Sequence, residues 1–158
     1  MNAAAVMIRD ATAADVPRIA ALIAMGDASL PMSAAEAEAE GGLPVYAEAF
    51  ARIAAAPDNH LFIAVAADRI VGTYQLTVLP GIAERGRTRG KIESVHVDPA
   101  LRSTGIGAAM MRHAIATARD KGIGLVELSS NKSRSDAHRF YERLGFARSH
   151  EGFKMALD

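Results

Sequence analysis

The sequence predicts an α/β fold, with one sheet and its helices forming a single domain over residues 1–158. Three observations carry that expectation. Apolar residues alternate with period two in some runs and recur at helical spacing in others, and these runs follow the order strand, helix, strands, helix, strand, helix, strand. No repeat, linker or low-complexity segment interrupts the chain. Its 158 residues, half of them apolar, are enough to bury one substantial core.

Residues 6–9 (VMIR) predict the first strand. TAADVPRIAALIAMG predicts a helix: Thr12 caps it, Asp15 suits its electropositive first turn, Val16, Ile19, Ala20 and Ile23 share a face, and Gly26 ends it. Residues 27–57 are rich in Ala and Glu and broken by Pro31 and by EGGLP. They predict one or two short helices, the better one marked by Val45, Ala49 and Ile53. HLFIAVAADRIVGTYQLTVL predicts two strands joined by a tight turn at Ala67, Asp68 and Arg69. A Gly- and Arg-rich loop leads to the strand KIESVHV. The spacing of Ile106, Met110, Ala114 and Ala118 then predicts a helix over residues 104–121, closed by Gly122. GLVELS has the pattern of a buried strand. SDAHRFYERLG predicts a capped amphipathic helix with Ala137, Phe140, Tyr141 and Leu144 inward, and FARSH and GFKMAL predict two closing strands.

Eighteen basic and eighteen acidic residues balance, so no global field draws the chain to nucleic acid or an anionic membrane. Without cysteine there is no disulfide and no thiolate chemistry. No basic segment leads into an apolar h-region, and no apolar run has the length of a membrane span, which makes a cytoplasmic protein the default expectation. His138 and His150 lack ligand-like spacing, and no metal is expected.

The stretch IESVHVDPALRSTGIGAAMM carries the chemistry. An extended run stops at a proline, passes Arg102 and two glycines, and becomes helix. The first turn of a helix presents backbone N–H groups without intrahelical partners, and the macrodipole adds about half a positive charge. Gly105 and Gly107 have no Cβ to hinder an approaching phosphate, Arg102 adds charge, and the Ser103 and Thr104 hydroxyls add donors. A tight strand-to-helix turn is the plainer use of the same glycines. A dinucleotide fingerprint fits less well. Glu127 lies about twenty residues downstream, but Met110 holds the third glycine position and too little chain follows for a doubly wound sheet.

VDPALRSTGIGAAMM resembles the acyl-CoA loop of the GNAT superfamily of N-acyltransferases, and SNKSRSDAHRFYERLGF is similar to that superfamily's next strand-to-helix segment. The two motifs stand in family order and spacing. The resemblance implies a mixed, mostly antiparallel sheet of about six to seven strands, splayed at its centre and flanked by about four helices. It implies acetyl-CoA as co-substrate, with Val95 and Val97 pairing through their main chain with the pantetheine arm and His96 between them. Arg102, Ser103, Thr104, Gly105, Ile106, Gly107 and Ala108 would wrap the pyrophosphate, and Asn131 would bind the arm's amides. Arg134 stands where many members carry a second Asn.

The resemblance also implies Glu93 as general base, direct or through water, and Tyr141 as acid or hydrogen-bond donor to the departing thiolate. Read from the residues alone, Glu93 is a surface carboxylate beside Lys91, and Tyr141 a core aromatic. The expected acceptor is a primary amine on a small molecule, met by residues 25–45 and 80–91. Arg85, Arg87, Arg89 and Lys91 form either a solvated basic patch or a fork for an anionic group. The C-terminal segment resembles the aminoalkylphosphonate acetyltransferase branch, which points to an anionic amine or an amino acid. Family members often form homodimers, although no apolar stripe specifies an interface here. An acyl-CoA-sensing or partner-binding module, and transfer to a peptide N-terminus or a hydroxyl, are the alternatives on the same fold.

Overall fold

In the computed structural model, which describes residues 6–157, the chain falls into two units divided between Glu127 and Leu128. The first opens with strand β1 (Met7–Asp10), a 3-10 turn over Ala13–Asp15, and helices α1 (Val16–Gly26), α2 (Ala34–Gly41) and α3 (Pro44–Ala55). Strands β2 (Asn59–Ala66) and β3 (Arg69–Leu79), the single turn α4 (Ala83–Gly86), strand β4 (Arg89–Val97) and helix α5 (Ile106–Asp120) follow. Strand β5 (Leu125–Leu128) crosses the division, and the second unit holds α6 (Ser135–Arg143).

The sheet has five strands in the order β1-β2-β3-β4-β5, with antiparallel pairing from β1 through β4. β2 and β3 are joined by the two-residue turn Ala67-Asp68. Both residues have positive φ, the handedness that a two-residue hairpin requires. Side chains of the sheet bury Ile63, Val71, Tyr74, Leu76 and Ile92, while Met110 and Met111 of α5 and Leu22 of α1 complete the core. Helix α5 reaches the sheet through Tyr74, whose hydroxyl lies 2.7 Å from His113 Nδ1, and through Met110, packed where a Cβ on Gly72 would have to sit.

Several expectations shift in detail. Thr12 does not close α1 with its side chain; its N–H and hydroxyl donate to Asp15 Oδ2 at 2.7 and 2.9 Å, and Arg9 grips the same carboxylate with two bonds. Helix α2 begins at a capping box in which the Ser33 hydroxyl accepts from Glu36 N–H and the Glu36 carboxylate accepts from Ser33 N–H. In α3 the covered face is Tyr46, Ala49, Phe50 and Ile53; Val45 is 54% exposed. The helix over residues 135–143 starts without a side-chain cap, since Arg134 occupies that position, but its half-buried face is Ala137, Phe140, Tyr141 and Leu144 as expected.

The two closing strands are absent among the described residues: residues 146–157 carry no strand, and Phe153, Met155 and Leu157 are each more than four-fifths exposed. Alternation of apolar residues marks which face a strand would bury, but a strand exists only where a neighbouring edge takes up its N–H and C=O groups. Among the described residues the sheet therefore has five strands, not six or seven.

Candidate active site

Strand β4 departs from regular pairing where the sequence places its chemistry. Thr73 lies opposite His96 and Gln75 opposite Glu93, so two steps along β3 are matched by three along β4. Ser94 absorbs the extra residue with φ of +51°, and Ser94 and Val95 fall outside the register. The bulge changes the face on which side chains stand. Directly opposed residues share a face, so Glu93 and His96 lie together on the side of Thr73 and Gln75. Val97 pairs with Gly72 and lies on the other face, with Ile92 opposite Leu76. Alternation along the strand puts Glu93 with Val95 and Val97; the bulge puts it with His96. The His96 ring lies against the end of α1, where a Cβ on Gly26 would come within 2.1 Å of its Nδ1. The Glu93 carboxylate is 3.0 Å from Lys91 Nζ, and both side chains are about two-fifths exposed.

Past β4 the chain makes a short turn over Pro99–Leu101 and enters α5 through Arg102, Ser103, Thr104 and Gly105. Gly105 stands at the helix start with φ of +92°, a conformation open to glycine, and no side chain caps the helix. Ala109 N–H is bonded to Gly105 O at 3.0 Å, so the N–H groups of Ile106, Gly107 and Ala108 precede the first intrahelical bond. Thr104 is not a spare donor: its hydroxyl donates to Leu101 O at 2.6 Å. Arg102 and Ser103 are exposed, and Ser103 has positive φ. An uncapped, electropositive helix start with an arginine beside it suits a pyrophosphate.

In the second unit, Asn131 Oδ1 accepts from Ser133 N–H at 2.9 Å and from Ser133 Oγ at 2.8 Å, and Asn131 O receives Arg134 N–H and lies 2.9 Å from His138 Nε2. The side-chain oxygen is thus committed to a turn, and what Asn131 offers an amide-bearing arm is its Nδ2–H. Beside it, Ser130 Oγ is a buried polar atom without a hydrogen-bond partner, a hydroxyl suited to a ligand's amide. Nothing in the sequence marks Ser130 for this role. Tyr141 packs edge-on against Phe140 and Phe146, and burial pushes its phenol above the ordinary Tyr value, with Arg134 opposing the shift. Tyr141 accordingly keeps its proton through the neutral range.

The basic segment running through α4 into the start of β4 is largely paired. Arg87 donates to Gly124 O and Glu84, Arg89 to Glu127, and Lys91 faces Glu93. Arg85 sits in α4, where it and Glu84 adopt left-handed backbone. Among the described residues no group of three or more His, Asp or Glu side chains could hold a metal ion, and no helix is long and apolar enough to cross a membrane.

Comparison with known proteins agrees with this architecture. The chain is 41% identical over 90 residues to a glucosamine 6-phosphate N-acetyltransferase of Trypanosoma brucei brucei, covering 57% of this chain and 58% of the relative. It is 36% identical over 101 residues to an aminoalkylphosphonate N-acetyltransferase of Salmonella typhimurium LT2, covering 64% and 65%. The chain thus spans about three-fifths of the length of these curated relatives. A crystal structure described as a transcriptional regulator from Bacillus halodurans C-125 superposes with a TM-score of 0.84 at 37% identity, covering 96% of this chain and 99% of that one. The family model for the acetyltransferase (GNAT) family matches residues 29–146, most of the chain, and the protein belongs to that family.

Proposed function

We propose that the chain is an acetyl-CoA-dependent N-acetyltransferase, working as one domain over residues 1–158, that acylates a primary amine on a small molecule. The observation that carries this reading is the uncapped start of α5 behind a left-handed Gly105, in a chain of this family. The α5 entry from Arg102 to Ala108 holds the pyrophosphate of the donor. The β4 backbone at Val95, His96 and Val97 and the Asn131 amide hold its pantetheine arm. The donor supplies a thioester carbonyl activated for attack.

At pH 7 an alkylamine with a pKa of about 10.4 is protonated, and reaching the free amine costs on the order of 4 to 5 kcal/mol. Glu93 takes that proton, directly or through one water. The nitrogen lone pair forms the new N–C bond, and the C–S bond breaks with its electron pair leaving on sulfur. The Tyr141 O–H donates a hydrogen bond to that thiolate, and the second proton of the acylated nitrogen is lost to water to give the neutral amide. Complete proton transfer from an ordinary phenol of pKa about 10 to a thiolate of about 8.5 is uphill by roughly 2 kcal/mol. Burial raises the Tyr141 phenol and adds to that cost, so a hydrogen bond is the role assigned to Tyr141. The acceptors named for the two curated relatives are both amines bearing a phosphorus oxyanion. That supports a phosphate- or phosphonate-bearing amine here, with an amino acid as the carboxylate counterpart. Arg87, Arg89 and Lys91 already face carboxylates and are not assigned to it.

A thermal-shift titration with acetyl-CoA, CoA and NAD tests the donor site. At a hundredfold excess over its dissociation constant, a ligand of the folded state adds about 2.7 kcal/mol, several degrees in a domain of this size. Both CoA species are expected to shift the wild type, NAD is not, and Gly107→Val is expected to lose the shift. The absence of any shift with CoA would remove the reading. An amine panel of 2-aminoethylphosphonate, glucosamine 6-phosphate, glucosamine, amino acids and polyamines then tests the acceptor. In it Glu93→Gln is expected to lower kcat by about a hundredfold or more. Faster turnover of polyamines than of the anionic amines would exclude the proposed class.

A second reading has one observation in its favour. The full-length likeness to a structure described as a transcriptional regulator fits a domain that senses acyl-CoA without transferring the acyl group. CoA binding with no turnover on any amine, unchanged by Glu93→Gln and Tyr141→Phe, would favour it.

A further inference from the structure

Asp98 closes β4 and is 8% exposed, too buried to be left unpaired at no cost. Its Oδ1 accepts Ala100 N–H at 3.0 Å, which folds the chain into the Pro99–Leu101 turn, and its N–H is fixed to Val71 O at 2.8 Å. Its Oδ2 accepts from Arg18 at 2.6 Å, and Arg18, on α1, also reaches Ile70 O of β3 at 3.3 Å. The bonds continue toward α5: Leu101 N–H donates to Asp98 O at 2.8 Å, and the Thr104 hydroxyl donates to Leu101 O at 2.6 Å. A continuous series of hydrogen bonds therefore runs from α1, through one buried carboxylate, to the residue before Gly105.

We infer that Arg18 and Asp98 are positioning residues for the donor loop: they fix where the uncapped N–H groups of α5 point, and so set affinity for the pyrophosphate-bearing part of the donor. The inference rests on the acetyl-CoA reading above. Neither residue touches the donor in this account. Asp98 acts through the turn it caps, and Arg18 acts through Asp98. A charge-assisted bond at 2.6 Å orients its partners more firmly than a neutral one. Its removal frees the turn without removing any group that contacts the ligand.

The test uses two donors that differ in the part concerned. Acetyl-CoA carries the pyrophosphate; S-acetylpantetheine keeps the thioester arm and lacks it. Dissociation constants for both are measured by NMR titration of the 15N-labelled wild type, Arg18→Met, Arg18→Lys and Asp98→Asn, with the dispersion of each spectrum reporting the fold. The expected result is a rise of about tenfold in the acetyl-CoA constant for Arg18→Met, partial recovery for Arg18→Lys, and an S-acetylpantetheine constant within about twofold of wild type. Asp98→Asn, which keeps an acceptor for Ala100 N–H but loses the charge that Arg18 grips, is expected to show the same selective loss and decides the matter if Arg18→Met fails to fold. Unchanged acetyl-CoA affinity in a folded variant overturns the inference while leaving the donor site standing, and so does an equal loss for both donors. Wild-type protein with no affinity for acetyl-CoA overturns the underlying reading, and the inference with it.

Discussion

Gly26 holds a place that a larger residue cannot share with His96. A Cβ there would lie 2.1 Å from His96 Nδ1 and 2.5 Å from Cε1, far inside van der Waals contact. Gly26→Ala must turn the imidazole out of position or move the end of α1, at a cost of about 1 to 3 kcal/mol. The expected outcome is a lower Tm together with amide shifts along residues 94–97. A variant with wild-type Tm and unmoved β4 amides would show that α1 and β4 do not pack here. Read in the sequence, Gly26 is a helix stop, and the helix does stop there. The second reason for a glycine was not legible, because it lies in a strand far along the chain. Ser94 is similar: its left-handed backbone is set by pairing with β3, and serine carries no local signal for it. For Glu93, strand alternation predicts the face of Val95 and Val97, and the bulge, unmarked in the sequence, puts it on the face of His96.

At the scale of elements, periodicity was a good guide wherever one face is buried. It found α5, whose buried residues include Ile106, Met110, Ala114 and Ala118, and it found the β2-β3 hairpin. It failed for residues 146–157, which alternate in the sequence but pair with no strand in the structure. Between them lies α2, whose Ser33-to-Glu36 capping box was written in the sequence as SAAE but hidden in a stretch with little apolar contrast. The loop into α5 was legible from its glycines because an αL residue and an open helix start both need a missing Cβ. Gly105→Ala separates the two needs. Nothing lies within 4 Å of the added methyl, so its cost is conformational, about 1 kcal/mol of stability. If the helix start binds the donor, acetyl-CoA affinity falls as well, because the backbone relaxes away from the left-handed geometry. Isothermal titration beside a denaturation curve checks both, and a loss of stability with full affinity would place the donor elsewhere.

For the whole molecule, the balance of eighteen basic and eighteen acidic residues holds near neutrality, and acid upsets it through two identifiable sets of groups. His113, with Nδ1 2.7 Å from the Tyr74 hydroxyl, and His60 are both held below the ordinary His value by burial. Burial also raises the Tyr74 phenol, so Tyr74 donates and neutral His113 accepts. As pH falls below about 6.5, the unfolded chain takes up protons that these folded histidines resist, and stability declines. Asp15 acts lower on the scale. Its hydrogen bonds from Arg9 hold its carboxyl at about 2, against an ordinary 3.8, despite opposing desolvation. The resulting stability is fully present above pH 3.8 and lost as pH falls toward 2, and it amounts to at most about 2 kcal/mol because water screens the partly exposed Arg9. Wild-type Tm measured from pH 7.5 to 2 is therefore expected to fall in two stages. His113→Gln, which preserves an acceptor for Tyr74, should soften the first stage alone, and Asp15→Asn the second alone. Growing positive charge lowers Tm in every variant, so the difference curves carry the result. An Asp15→Asn difference that stays constant between pH 4 and 2 would show that the Arg9 pair does not set the acid limit of the fold.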